Sequence, residues 1–164
     1  MTKTQENLKI AFAGESQANR KYLAFAQKAA EEGLAQVAKL FRAAAEAETI
    51  HAHAHLRLLR GIGTTAENLK EAISGETYEF KSMYPAMIED AKAEGDKTAQ
   101  RYFEFANKAE ECHAALYTKA AEMMESLPAV DYYICAVCGH IYEGEPTEKC
   151  PICNALPKVY FRVD

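Results

Sequence analysis

Positive charge, long apolar runs and proline are all scarce in this chain, and each scarcity excludes a class of protein. Lys and Arg number 19 against 24 Asp and Glu, a net charge of −5. A non-specific nucleic-acid binder needs a basic face, so that role is excluded. No stretch approaches the ~20 apolar residues of a membrane span. The opening segment, Met1-Thr2-Lys3-Thr4-Gln5-Glu6, lacks the apolar core of a signal peptide. The expectation is a cytoplasmic protein with neither membrane nor nucleic acid as partner.

Residues 1–127 hold a single proline, Pro85, and are rich in Ala, Glu, Lys, Leu and Gln, a helix-forming composition. The other four prolines fall in residues 128–164, together with four of the five cysteines. The β-formers Tyr132-Tyr133-Ile134 and Val159-Tyr160-Phe161-Arg162-Val163 lie there too. The change of composition places domains at 1–127 and 133–164, joined by a linker over 128–132.

Four long helices fit the first region: about Gln5–Glu31, Ala35–Arg60, Ser74 to Gly95, and Asp96 to about Ser126. Thr64-x-x-Glu67 reads as a capping box for a short helix inside a longer middle connection. Short outer connections and a long middle one predict a four-helix bundle.

The apolar stripes of these helices contain carboxylates. Leu8, Phe12, Glu15, Asn19, Tyr22 and Ala26 share one face of the first, and Val37, Phe41, Ala44, Glu48, His51, His55 and Leu58 one face of the second. The third aligns Glu76, Glu79 or Phe80, Met83 and Met87; the fourth aligns Tyr102, Ala106, Glu110, His113, Tyr117 and Met124. One inward Glu in an Ala-rich helix reads as a rim residue, because buried unpaired carboxylates are costly. Four helices doing the same thing point to cations. Two Fe²⁺ bring +4, and two Fe³⁺ bring +6, against the five carboxylates Glu15, Glu48, Glu76, Glu79 and Glu110. Glu48-x-x-His51 and Glu110-x-x-His113, with one Glu from each remaining helix, make the di-iron pattern of ferritin-like bundles.

Neighbouring residues fall outside this set. Glu46, Glu111 and His53 lie off the stripes, and His55 is expected to be a packed, hydrogen-bonded histidine one turn beyond the site. Cys112 receives no chemistry. Tyr22 and Tyr84 are either packing residues or hydrogen-bond donors to ligand carboxylates.

Five cysteines, four of them in two C-x-x-C pairs, do not suit the even count of a secreted disulfide framework. Cys135-x-x-Cys138 and Cys150-x-x-Cys153 form two knuckles whose backbone N–H groups can point at sulfur. Together they make a tetrahedral S₄ site. Spacing alone leaves structural Zn²⁺ and iron equally open, and a redox-active bundle, which needs an electron source, favours iron. A module of about 35 residues is too small for a sizeable core, so its metal should hold it together. Whether it lies against its own helices or those of another copy is open.

Taken together, these motifs make the chain resemble the rubrerythrin family, a ferritin-like di-iron domain fused to a C-terminal rubredoxin-like domain. The likeness rests on Ala13-Gly14-Glu15-Ser16, Glu48-x-x-His51, Gly75-Glu76-Thr77-Tyr78-Glu79, Glu110-x-x-His113, Cys135-x-x-Cys138-Gly139 and Cys150-Pro151-x-Cys153. The absence of Trp departs from many rubredoxin-like domains and leaves the iron ligands untouched.

The resemblance implies a peroxidase that reduces hydrogen peroxide to water. Electrons would come from NAD(P)H through a rubredoxin reductase, or from a rubredoxin, to the Cys₄ iron and then to the two bundle irons. It implies Glu15, Glu48, Glu76, Glu110, His51 and His113 as ligands, with Glu79 serving the diferric state and His51 the diferrous state of one iron. Tyr22 and Tyr84 match its hydrogen-bonding tyrosines. It also implies a homodimer or larger assembly, with helix pairs exchanged between subunits in some members. The competing readings are a ferroxidase or iron-binding protein, which needs no attached electron carrier, and a zinc-ribbon interaction module.

Overall fold

The computed structural model describes residues 2–163. Helix α1 (Lys3–Glu31) begins at a capping box in which Thr2 and Gln5 satisfy each other's backbone N–H groups. It ends at Glu32 and Gly33, whose φ of 78° suits glycine. Helix α2 (Ala35–Leu58) returns after that short turn. The two form one unit, up to residue 63. Their contact is made by small side chains: Ala26, Ala29, Ala38, Ala45 and Ala52 are buried, whereas Ile10, Leu40, Ile50 and Leu58 stay exposed. Asn19 pins the pair, donating from Nδ2 to the Ala45 carbonyl at 2.7 Å and to Thr49 Oγ1 at 2.8 Å.

The second unit begins at residue 64. Helix α3 (Thr65–Tyr78) is opened by the Thr64/Glu67 capping box. That box therefore starts the third long helix and not a separate short one. The helix accommodates Gly75 in its interior, and the middle connection is short. A π-helical turn over Glu79–Met83 leads into α4 (Tyr84–Glu94), with the Tyr84 N–H bonded to the Glu79 carbonyl five residues back. The wider turn precedes Pro85, which has no N–H and whose ring would crowd the carbonyl four residues earlier in a plain α-helix.

Gly95, at φ 74°, closes α4. Asp96 caps α5 (Lys97–Met123) through the N–H groups of Thr98 and Ala99. Ala91, Ala106, Ala109 and Ala114 are the buried residues of this helix pair.

A three-stranded antiparallel sheet follows: β1 (Tyr132–Cys135) lies between β2 (Ile141–Glu143) and β3 (Tyr160–Val163). The fold class is mainly helical with a small knuckle-and-sheet module, as the composition implied. The four long helices are organised as two pairs, each within its own unit. Among the described residues, no helix is long and apolar enough to cross a membrane.

Candidate metal centres

The side chains singled out from the helix stripes gather into two triads of the same design. In the first unit, one ligand atom from each of Glu15, Glu48 and His51 lies within 4.8 Å of the others. His51 Nδ1 is 2.8 Å from Glu48 Oε2 and 3.9 Å from Glu15 Oε1. In the second unit, Glu76, Glu110 and His113 repeat the arrangement, with His113 Nδ1 2.6 Å from Glu110 Oε2 and 3.8 Å from Glu76 Oε2. The Glu-x-x-His spacing explains the short distance, since residues three apart on a helix face are neighbours.

The triads differ in cover. The His51 side chain is 55% exposed and that of His113 16%. Each triad alone supplies two carboxylates and one imidazole, half of a di-iron ligand set.

The carboxylates of the second triad are crowded. Burial raises the Glu76 carboxyl above its ordinary range, and the Glu110 carboxylate adds to the shift. Glu79, on the π turn, is raised by burial and by the Glu76 charge, while His113 pulls it down. It therefore sits within electrostatic reach of the triad, which suits a further ligand. Burial and then the charges of Glu110, Glu79, Tyr102 and Glu76 raise the Tyr84 hydroxyl above its ordinary value. Tyr22 packs in a ring cluster with Phe25 and Phe41. Glu46, Glu111 and His53 are exposed. His55 departs from expectation: its Nδ1 is shielded from solvent yet has no hydrogen-bond partner among the described residues.

The His113 ring is held at its far side. Its Nε2 lies 3.0 Å from the Gly139 carbonyl oxygen. A carbonyl only accepts, so Nε2 carries a proton, and Nδ1 is the ring nitrogen turned toward the carboxylates, where a metal would take it as a ligand. Metal-ligating histidines are oriented in this way. The donor set of two carboxylates and an imidazole, with its ring fixed, fits iron.

Four cysteine sulfurs converge in the module. Cys135 and Cys153 Sγ are 3.7 Å apart, and Cys138 and Cys150 Sγ 3.6 Å. A tetrahedron with bonds of about 2.3 Å has edges of about 3.8 Å, so these spacings fit a metal at the centre. The knuckle N–H groups do aim at sulfur: His140 N–H at Cys138, Ile152 and Cys153 N–H at Cys150, and Ala155 N–H at Cys153.

The module is seated on one stripe of its own chain's α5. Phe105 packs against the cysteine cluster, Cys112 Sγ donates to the Ile141 carbonyl at 3.7 Å, and Lys119 Nζ reaches Glu143 at 2.7 and 2.8 Å. Sequence reasoning found neither this seat nor the Gly139 carbonyl, because a backbone acceptor has no residue-type signature. Cys112, set aside as chemically silent, is a docking contact.

Fold and site together define a helical carboxylate–histidine metal protein carrying a four-thiolate metal module. Comparison with known proteins narrows that class. The rubrerythrin family model matches residues 6–121, and the model of the rubrerythrin rubredoxin-like domain matches residues 133–162. The chain belongs to the rubrerythrin family.

It is 40% identical to nigerythrin of Nitratidesulfovibrio vulgaris, over 92% of this chain and 81% of that one. It is 35% identical to a rubrerythrin of Porphyromonas gingivalis, over 98% and 89%. Solved structures of nigerythrin in its partially reduced and fully reduced, all-ferrous states align with a TM-score of 0.60 at 36% identity, covering 99% of this chain and 88% of theirs. The family carries a di-iron centre and one further iron, and its members are oxidoreductases. The ligand groups for both centres are present here.

Proposed function

We propose that the protein is a peroxidase that reduces hydrogen peroxide to water, with electrons passing from an NAD(P)H-dependent rubredoxin reductase, or a rubredoxin, through the Cys₄ module to the di-iron centre. The observation that carries this reading is the 3.0 Å contact from His113 Nε2 to the Gly139 carbonyl. Gly139 follows Cys138 directly, so a thiolate ligand and an imidazole ligand are joined by a few covalent bonds and one hydrogen bond. A ferroxidase or an iron store has no use for such a link.

Reduction of hydrogen peroxide consumes two electrons and two protons and yields two waters; an iron pair giving one electron each supplies the electrons. The chain's own residues do the rest. Glu15, Glu48, Glu76, Glu110, His51 and His113 hold the pair. Glu79 would hold one iron in the oxidised state and His51 would hold it in the reduced state, because a more positive pair favours a carboxylate and a less positive one a neutral imidazole. Tyr84 donates to the ligand carboxylates, and Tyr22 stands in the same role on α1. The domain limits proposed are 1–127 for the di-iron part and 133–164 for the module, in line with the matched ranges.

Each helix pair holds half of the ligand set and leaves large apolar side chains uncovered. The assembly proposed is therefore a homodimer or larger in which helix pairs are exchanged between copies, so that the two half-sites close over a shared metal pair.

The test is anaerobic reconstitution, metal analysis and NAD(P)H-driven peroxide turnover with an added reductase, for the wild type and a full-length Cys138→Ser/Cys153→Ser variant. The wild type should bind about three irons and turn over peroxide. The variant should lose one iron and its sustained turnover, yet its reduced di-iron centre should still be oxidised by peroxide in a single turnover. Unchanged steady-state turnover in the variant contradicts the relay.

A further inference from the structure

Asn19 is buried, 6% exposed, in a helix contact otherwise made by Ala26, Ala29, Ala38, Ala45 and Ala52. An amide in such a place is costly unless each of its groups is paired, and here each is. Nδ2 donates to the Ala45 carbonyl at 2.7 Å and to Thr49 Oγ1 at 2.8 Å, while Oδ1 accepts from Arg20 Nε at 2.9 Å. The Thr49 hydroxyl gives its own proton to the Ala45 carbonyl at 3.1 Å, so its oxygen is left to accept. A carbonyl only accepts and a guanidinium only donates, so the amide fits one way round.

This closed network stands at the level of the first triad. Asn19 follows Glu15 by one helical turn on α1, and Ala45 and Thr49 flank Glu48 on α2. The turn at Gly33 lies about 20 Å away along α1. The Tyr22, Phe25 and Phe41 rings join the two helices on that side of Asn19. The remaining buried contacts are methyl groups, which fill space without fixing register. A buried Asn in an apolar helix contact does fix it, because only one alignment satisfies its hydrogen bonds.

The second triad is held differently. Phe80, four residues after Glu76, and Glu111, next to Glu110, stand at the positions matching Asn19 and Thr49. Phe80 has no polar side-chain atom, and Glu111 is exposed. There the Gly139 carbonyl holds the His113 ring from its far side. His51, 55% exposed, has no such holder among the described residues. The geometry of the first triad therefore depends on how α1 and α2 are set against each other.

We infer that Asn19, with Thr49 as its acceptor, is a positioning residue for the di-iron centre: it sets α1 against α2 so that the Glu15 and Glu48 carboxylates converge on one cation. This deepens the di-iron reading of the triad and rests on it. The physical reason is preorganisation. Two carboxylates brought together without a cation repel each other and push apart the helices that carry them. A neutral amide network opposes that push without adding charge, so an arriving cation meets a pair already formed.

The test is anaerobic competition titration of ferrous iron between a chelator and full-length protein, at a temperature where circular dichroism shows every variant folded. The visible absorption of the Cys₄ site, recorded in the oxidised protein, is the internal control. Asn19→Leu keeps the size of the side chain and removes its hydrogen bonds. It should weaken di-iron binding by about tenfold to a hundredfold and leave the Cys₄ absorption unchanged. Thr49→Val should weaken binding by less, and should add nothing in the Asn19→Leu background. Ala38→Gly, in the same contact but nearer the turn, should lower the melting temperature and leave the iron affinity in place.

Wild-type iron affinity in a folded Asn19→Leu protein overturns the inference. An equal loss in Ala38→Gly also overturns it, because the effect would then be one of general stability. Should Asn19→Leu fail to fold, the isosteric Thr49→Val decides, and wild-type affinity in that variant overturns the inference. A wild-type protein that binds no iron beyond the Cys₄ site refutes instead the di-iron reading beneath it.

Discussion

At Glu79, burial and the Glu76 charge both lift the carboxyl, and the neighbouring His113 opposes them. A carboxylate placed this way is expensive without a cation and useful with one. Glu79→Ala should therefore keep most di-iron binding but slow peroxide oxidation of the reduced protein by about tenfold or more, equivalent to ~1.4 kcal/mol in barrier. Stopped-flow oxidation with iron content measured in parallel checks this; wild-type kinetics would reduce Glu79 to a bystander. At this scale the two triads that the structure gathers were legible from sequence, because Glu on an apolar stripe is a costly choice repeated on every helix. The Gly139 carbonyl beside His113 was not, because a backbone acceptor has no residue-type signature.

Among the elements, the π turn and the α5 seat do most to arrange the site. Thr64-x-x-Glu67 was read correctly as a cap but assigned to the wrong helix, since Gly75 suggested a start where the helix simply continues. The π turn had a sequence cue in Pro85, yet which turn would widen depends on packing. The seat on α5 involves residues Phe105, Cys112, His113 and Lys119, whose spacing puts them on one face, but their mixed residue types do not mark that face as a docking surface.

Lys119 and Glu143 are the charged clasp of that seat, 40% and 29% exposed. A partly exposed pair contributes up to about 1 kcal/mol. Lys119→Ala should accordingly leave the helices folded by circular dichroism while slowing electron transfer from module to di-iron centre by up to about fivefold. High salt should slow the wild type in the same direction. A transfer rate unaffected by both would show that the clasp does not hold the module in its working position.

For the whole molecule, the decisive question is which helix pairs share a metal pair. Composition announced four helices and a thiolate module, but heptad-like stripes do not say whose helix covers them. Mixed assembly answers it. Glu48→Ala and Glu110→Ala chains, each inactive alone, should regain activity when unfolded together and reassembled. Exchange of helix pairs puts both lesions in one bundle of a mixed dimer and leaves the other intact. If every bundle were built from one chain, each would keep a lesion and no activity would return.

The account turns on one transfer: from the Cys₄ module to the di-iron centre through Gly139 and His113 of the same chain. Its direct measure is the colour of the module in anaerobic stopped-flow, after fully reduced full-length protein is mixed with hydrogen peroxide and no other donor. The absorption of the ferric Cys₄ site should return rapidly, after oxidation of the di-iron centre, at a rate independent of protein concentration. A module that stays colourless and reduced while peroxide is consumed, or that recolours only in proportion to protein concentration, would contradict transfer along this path.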